Sequence, residues 1–281
     1  MDAYGLAKLV SPDRVPRYKT AFRDSVMIRL TQFKWAPRLE AKKIVHDALQ
    51  PAIRYTKAEC LSLPPMMYAD REVEMTKMQR TAYNDLRNRM VLTVAGEVVG
   101  AVNSGVLMSK LMQIASGAVL TETGNVLEFD ISTRYKVLRE ILEETENKVV
   151  VFVHFTAAIE LLRDKLRADG ITVDVIDGNV APHQRGEIIR AFQTQPEPHV
   201  LILQPQAAAH GITLTAADTI VWWAPIPSVE TYLQGNARIH RTGQSRHTTV
   251  YHLYGSPAEK RIYNALKSNK EVHELTVDLF D

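Results

Sequence analysis

Residues 131–256 alternate short β-branched apolar runs with amphipathic stretches, and few architectures satisfy that pattern. The run VVVFV (149–153) is apolar at every position, so a strand there needs cover on both faces. TVDVI (172–176), HVLIL (199–203), DTIVWW (218–223) and TTVYHLY (248–254) repeat the signal. The intervening stretches have helical spacing. Ser132 is expected to cap a helix whose Val137, Leu138, Ile141 and Leu142 share one face. Ile159, Leu162 and Leu166 mark a second helix, with Gly170 where a C-terminal cap belongs. Pro182 opens a third with Ile188, Ile189 and Phe192 as its apolar side, and Ser228 caps a fourth running to about Ile239. Strands alternating with helices specify an α/β fold, a parallel sheet with helices on both faces. Strand order does not follow from the pattern.

Residues 1–130 read differently. Met78–Met90 and Ser104–Ile114 have helical spacing, as do parts of 19–49. Tyr68–Glu74 reads as a strand, and VLTVAGEVVGAV (91–102) as a hairpin about Ala95–Gly96. The expected organisation is a mainly helical N-terminal extension over 1–130, an α/β lobe over 131–256, and a closing helix within 257–281. Residues 1–60 hold 12 Lys/Arg against 6 Asp/Glu, and the remaining residues carry a balance of −4. A basic front is compatible with nucleic acid, and equally with an unevenly charged solvated surface. Cys60 is the only cysteine, which excludes an internal disulfide and a multi-cysteine zinc site. No run of 18 apolar residues and no signal-peptide pattern occur, so a reducing, cytoplasmic setting without a membrane is expected.

The chemistry-bearing segment is QGNARIHRTGQ (234–244). On a helix, Gln234, Arg238 and Arg241 fall at i, i+4 and i+7, on one face. Two guanidiniums so placed suit an anion, a phosphate above all, which guanidinium grips with two hydrogen bonds. A solvated polar face carries the same pattern. No HExxH or other metal-ligand spacing is present, so no metal site is expected within the chain. His154, beside a buried run, also reads as a satisfied core histidine.

RIHRTGQ (238–244) followed by VYHLY (250–254) closely resembles the last helicase motif of the Swi/Snf-type ATPases of superfamily two. Related superfamily-two helicases commonly end this motif in Arg, and Gln244 points to the Swi/Snf branch. VVVFVHFTAAIELLRDKL (149–166) resembles the opening of that family's second lobe. DGNVAPHQRGEIIRAFQ (177–193) and VLILQPQAAAHGITLTAADTIVWWAPIPSVETYLQ (200–234) resemble the segments that follow, in the family's order. His210–Gly211 and Leu214 are most similar to phage and plasmid members, for which the setting is host cytoplasm. LPPMMYADREVEMTKMQRTAY (63–83) resembles the connection between lobes. Ala207 and Ala209 depart from the Ser and Gly usual there, in a loop that couples nucleotide to DNA in the family.

The resemblance implies a RecA-like C-terminal lobe of a DNA-dependent ATPase acting on double-stranded DNA. Arg241 would be the arginine finger, with Arg238 in support. Gln234, Gly211 and Gln244 would face the nucleotide, and His210, Arg185 and His154 nucleic acid. ATP and Mg²⁺ would be held mainly by an N-terminal RecA-like lobe. No GxxxxGK[ST] and no Asp-Glu pair occur here, so the chain is expected to begin after that lobe's catalytic core and to be inactive alone. A strand-separating superfamily-two lobe and a non-catalytic DNA- or protein-binding module are the alternatives.

Overall fold

A computed structural model describes residues 3–32, 35–52, 60–209 and 211–268. They group into two compact units, Met1–Ser62 and Leu63–Asp281. The first comprises helix α1 (Ala3–Val10), a 3-10 turn (Pro12–Arg14), α2 (Lys19–Val26), the antiparallel strands β1 (Met27–Arg29) and β2 (Trp35–Pro37), and α3 (Ala41–Leu49). Ala7, Val15, Phe22, Val26 and Ala48 form its small core.

The second unit opens with β3 (Met66–Glu72), α4 (Lys77–Arg89), the hairpin β4 (Val91–Val94) and β5 (Glu97–Gly100), α5 (Ser104–Ser116), and the hairpin β6 (Ala118–Leu120) and β7 (Val126–Glu128). It continues with α6 (Ser132–Glu143), β8 (Lys148–Phe152), α7 (Thr156–Ala168), β9 (Val173–Ile176), α8 (Pro182–Thr194) and β10 (Val200–Leu203). A 3-10 turn (Pro205–Ala209), β11 (Ala217–Trp222), α9 (Val229–Asn236), β12 (Thr248–Tyr254) and α10 (Pro257–Lys267) complete it. Six strands form one sheet in the order β3-β12-β11-β8-β10-β9, every neighbour parallel.

The expected α/β sheet with helices on both faces is present, and alternation along the strands explains it. Val149 and Val151 pack with Leu138 and Ile141 of α6 and Ile159 and Leu162 of α7. Val150 and Phe152 point the other way, into a core shared with Leu111 of α5, Phe192 of α8, Tyr232 of α9 and Ile262 of α10. The sheet has one strand more than the five read from 131–256, because the run near Tyr68 is β3, hydrogen-bonded along β12. The hairpin about Ala95–Gly96 forms as expected, both turn residues having positive φ, 52° and 83°. Gly170 caps α7 at φ 75°.

Two local expectations need correction. Ser132 does not cap α6. It is the first helical residue, after Ile131 at the cap position, which carries no side-chain cap bond. The Asp130 carboxylate accepts from the Ser132 backbone N–H at 2.9 Å and from the Ser132 hydroxyl at 2.8 Å, satisfying one free N–H of the first turn and meeting the helix dipole. The helix capped by Ser228 ends at Asn236, short of Ile239. Its C-terminal carbonyls are taken by tight turns and the next backbone bonds leave the helix, as described below.

β3, β12, α9 and α10 meet at His252, which is fully buried. Its Nδ1 lies 3.0 Å from Asp70 Oδ1, and its Nε2 lies 2.9 Å from the Tyr232 hydroxyl. Lys267 Nζ donates to the same Asp70 carboxylate at 2.9 Å. Burial pushes the imidazole down to about 4, against the upward pull of the Asp70 carboxylate. Folded His252 is therefore neutral, while the unfolded chain takes up a proton on it below about pH 6.5. Stability should fall as pH drops from about 6.5 to about 4, by about 3 kcal/mol from this group, and its contribution should level off below. Urea denaturation across that range, with His252→Gln beside the wild type, checks it. The variant should lose most of the slope, and an unchanged slope would contradict the assignment.

Candidate functional site

Helix α9 fixes the site through one close approach. A Cβ at Gly235 would lie 3.1 Å from both Phe152 Cζ and Trp222 Cζ2, so the helix rests on β8 and β11 where it has no side chain. The next residue locks it in place, Asn236 Oδ1 accepting from Trp222 Nε1 at 3.0 Å. Beyond Asn236 the chain tightens. Arg238 N–H donates to Gly235 O, His240 N–H to Asn236 O and Gln244 N–H to Arg241 O. Arg238 O accepts from Leu214 N–H at 2.9 Å, in the segment leading into β11. Local turn bonds and one long-range bond from Leu214 thus replace the helical ladder, and Arg238 and Arg241 are presented by turns, not by the helix face their spacing suggests.

The turn and the 211–217 segment are laced together. Arg241 Nη1 donates to Ile212 O at 3.2 Å. Gln244 is 5% exposed; its Nε2 donates to Ala217 O at 2.7 Å and its Oε1 accepts from Arg246 N–H at 3.1 Å. Arg246 adds an ion pair to Asp218 at 3.0 Å and a bond to Ala216 O at 2.7 Å. Gln193, from α8, spans Thr215 Oγ1 and Ala216 N–H. Gly211 carries the left-handed φ of 67° that starts this segment, with open space where a Cβ would be. Gln234, one turn before the arginines, donates to Glu230 at 2.9 Å near the surface. Among the described residues neither Arg238 nor Arg241 has a carboxylate partner, and the buried Arg238 Nε has no hydrogen-bond acceptor.

A second group lies at the carboxyl ends of β8, β9 and β10. Gln204 ties the three loops, donating to His154 O at 3.2 Å and accepting from Gly178 N–H at 3.0 Å. Gln206 Nε2 lies 3.0 Å from His154 Nδ1. Burial holds the His154 imidazole below its ordinary value, with the Gln206 bond pulling weakly upward. It is therefore neutral near pH 7 and offers ring hydrogen bonds, not charge. Arg185 spends Nε on Val180 O at 2.8 Å and Nη2 on Asp177 O at 3.1 Å, so it shapes the loop after β9. His210 lies outside the described residues.

The predicted site residues therefore form two sets. Arg238, Arg241 and Gln244 gather where β11 and β12 begin, and His154 and Arg185 where β8 and β9 end. The chain from Gln204 to Ala217 runs from one set to the other. Gln193, Gln204, Gln206 and Arg246 escaped sequence reading, because their partners lie far along the chain and a lone glutamine has no spacing signature. Among the described residues no three His, Cys, Asp or Glu side chains converge as a metal site would need.

Gln244→Ala should strand the buried Ala217 carbonyl and free the part-buried Arg246 N–H, costing about 1–3 kcal/mol and lowering the melting temperature by several degrees. Gln234→Ala, which loses only an exposed bond to Glu230, should stay within about 0.5 kcal/mol. Equal melting temperatures for the two variants would remove the bracing role from Gln244.

Comparison with known proteins places this geometry. Residues 133–243 match the helicase conserved C-terminal domain. An uncharacterized ATP-dependent helicase of Mycoplasma pneumoniae is 28% identical over 235 residues, covering 80% of this chain and 22% of that protein. The chromatin-remodeling ATPase INO80 of Debaryomyces hansenii is 26% identical over 237 residues, 83% of this chain and 16% of that protein. The chain thus spans about a fifth of these relatives. The C-terminal part of the Fun30 ATPase domain superposes with TM-score 0.62 at 17% identity, over 78% of this chain and 97% of that one. The Sulfolobus solfataricus SWI2/SNF2 ATPase core in complex with dsDNA gives TM-score 0.55 at 23% identity, over 85% of this chain and 52% of that one. Residues 133–243 thus carry a helicase conserved C-terminal domain on a RecA-like α/β sheet, and the chain is similar to the C-terminal lobes of Swi/Snf-type ATPases.

Proposed function

We propose that this chain is the second lobe of an ATP-driven motor that moves along duplex DNA, supplying Arg241 to ATP held by a partner lobe. The observation that carries the reading is the braced arginine turn. Among the described residues two guanidiniums lack carboxylate partners, and the turn that bears them is held by Leu214 N–H on Arg238 O and Arg241 Nη1 on Ile212 O, which prepares it for an external anion. The donor set fits the phosphate end of a nucleotide. It does not fit magnesium, since no carboxylates converge among the described residues. With no GxxxxGK[ST] in the sequence, phosphate cradle and metal fall to a partner RecA-like lobe. Leu6, Leu9 and Val10 of α1, all more than half exposed, supply apolar surface for such a partner.

Arg241 would neutralise charge developing on the transferred phosphoryl group, worth about 10³–10⁵ in rate. Arg238 would assist from the same turn, and Gln234 and the Gly211 backbone would meet the nucleotide. Gln244 acts through Arg241, by bracing the turn. On the DNA side, His154 and Arg185 hold the loops after β8 and β9 in shape; for His210, outside the described residues, a DNA role rests on the family resemblance alone. The 204–217 segment is the path by which nucleotide state reaches DNA. The similarity to a SWI2/SNF2 core in complex with dsDNA and to ATP-dependent helicases supports both ligands.

The chain alone should not hydrolyse ATP. Joined to a phosphate-loop lobe, it should give DNA-stimulated turnover that Arg241→Lys lowers by about 10²–10⁴, because Lys keeps the charge but not the two-pronged grip. DNA affinity and melting temperature should hardly change. Steady-state ATPase at saturating DNA checks this. Near-normal turnover in Arg241→Lys, or a loss that follows DNA affinity, would contradict the finger role.

A further inference from the structure

We infer that the β1–β2 pair of residues 1–62 is a separate nucleic-acid contact, gripping the sugar-phosphate backbone with Arg23 and Arg29 around Trp35. The inference rests on the DNA reading above but uses none of its residues. Strand register sets Arg29 directly opposite Trp35. The guanidinium carbon of Arg23 lies 4.2 Å from the Trp35 ring centroid and that of Arg29 lies 5.9 Å away. Residues 23–40 contain four basic residues against Asp24 and Glu40.

Each arginine is held in place yet keeps donors for a ligand. Arg29 spends Nε on Thr31 O and Nη2 on Gln32 O, both at 3.1 Å, which leaves other N–H groups of its five. Arg23 pairs with Asp24 through a single carboxylate oxygen at 3.0 Å. That pair is open to solvent and worth about 0–1 kcal/mol, so a phosphate competes with it easily. The indole face attracts both guanidiniums by cation–π interaction, Arg23 more closely than Arg29, which lowers the entropy cost of ordering them. A planar, preset guanidinium meets two phosphate oxygens at once. Nothing in this arrangement reads base edges, so the contact is indifferent to sequence.

The protein carries its own reporter. Trp222 and Trp223 are fully buried, whereas Trp35 is half-buried at the contact. The experiment titrates the 281-residue chain with a short DNA duplex from about 50 to about 200 mM salt, following affinity and tryptophan emission. Binding should change the emission, and Trp35→Phe should abolish the change. Arg23→Ala with Arg29→Ala should make the log–log salt slope shallower by about 2 and weaken binding about tenfold at low salt. The double Lys variant, which retains both charges, should keep the slope. If the chain binds DNA and the Ala pair leaves slope and emission unchanged, the β1–β2 contact is wrong and the DNA reading stands. If the Lys pair loses as much slope as the Ala pair, the effect is one of folding and the contact is likewise wrong. No DNA binding at all would overturn the DNA reading and this contact together.

Discussion

The site depends on helix α9 touching the sheet with no side chain in between. At Gly235 the helix backbone reaches Phe152 and Trp222, and the Trp222 indole closes the contact by donating to Asn236. Those two rings are fully buried and stacked at 4.4 Å between centroids, so the surface they offer is rigid. The helix can end only where Asn236 is held, and the turn with Arg238 and Arg241 begins there. A Cβ at 235 would lie 3.1 Å from both rings, so helix or rings would have to give by a few tenths of an ångström.

From that fixed point two ends of one sheet are served. The arginine turn sits where β11 and β12 begin, and the loops bound by Gln204 sit where β8, β9 and β10 end. A parallel sheet places all carboxyl ends together, and ligands of open α/β sheets gather there. The Gln204–Ala217 segment spans the distance between the two sets. It is tied to His154 and Gly178 at one end and to Gln244 and Arg246 at the other.

Legibility in the sequence followed the range of the interaction. The central strand was legible because a fully covered strand admits only apolar residues, and Val149–Phe152 obey that. The Ala95–Gly96 turn and the Gly170 cap were legible because positive φ is a local demand. The true end of α9 was not. Its residues keep helical spacing through Arg241, and the bonds that end the helix come from Leu214 and Trp222. The start of α6 was misread because Ser132 is an acceptable cap by type, and only geometry shows it inside the first turn with its N–H held by Asp130. The motif around Arg238 and Arg241 was legible as a pattern of residue types. Its glutamine braces were not, since Gln193 and Gln204 acquire meaning only from distant partners.

The claim that matters most is that Arg241 acts on the transition state and not on the bound nucleotide. The direct measurement is affinity of the joined two-lobe protein for ADP alone and for ADP with a metal-fluoride mimic of the phosphoryl group in transfer. The account predicts that the mimic tightens binding in the wild type, because guanidinium contacts strengthen as charge develops. Arg241→Ala should lose most of that gain and bind ADP alone as before. Equal weakening of both ligands would make Arg241 an ordinary nucleotide contact, and no effect on either would remove it from the site.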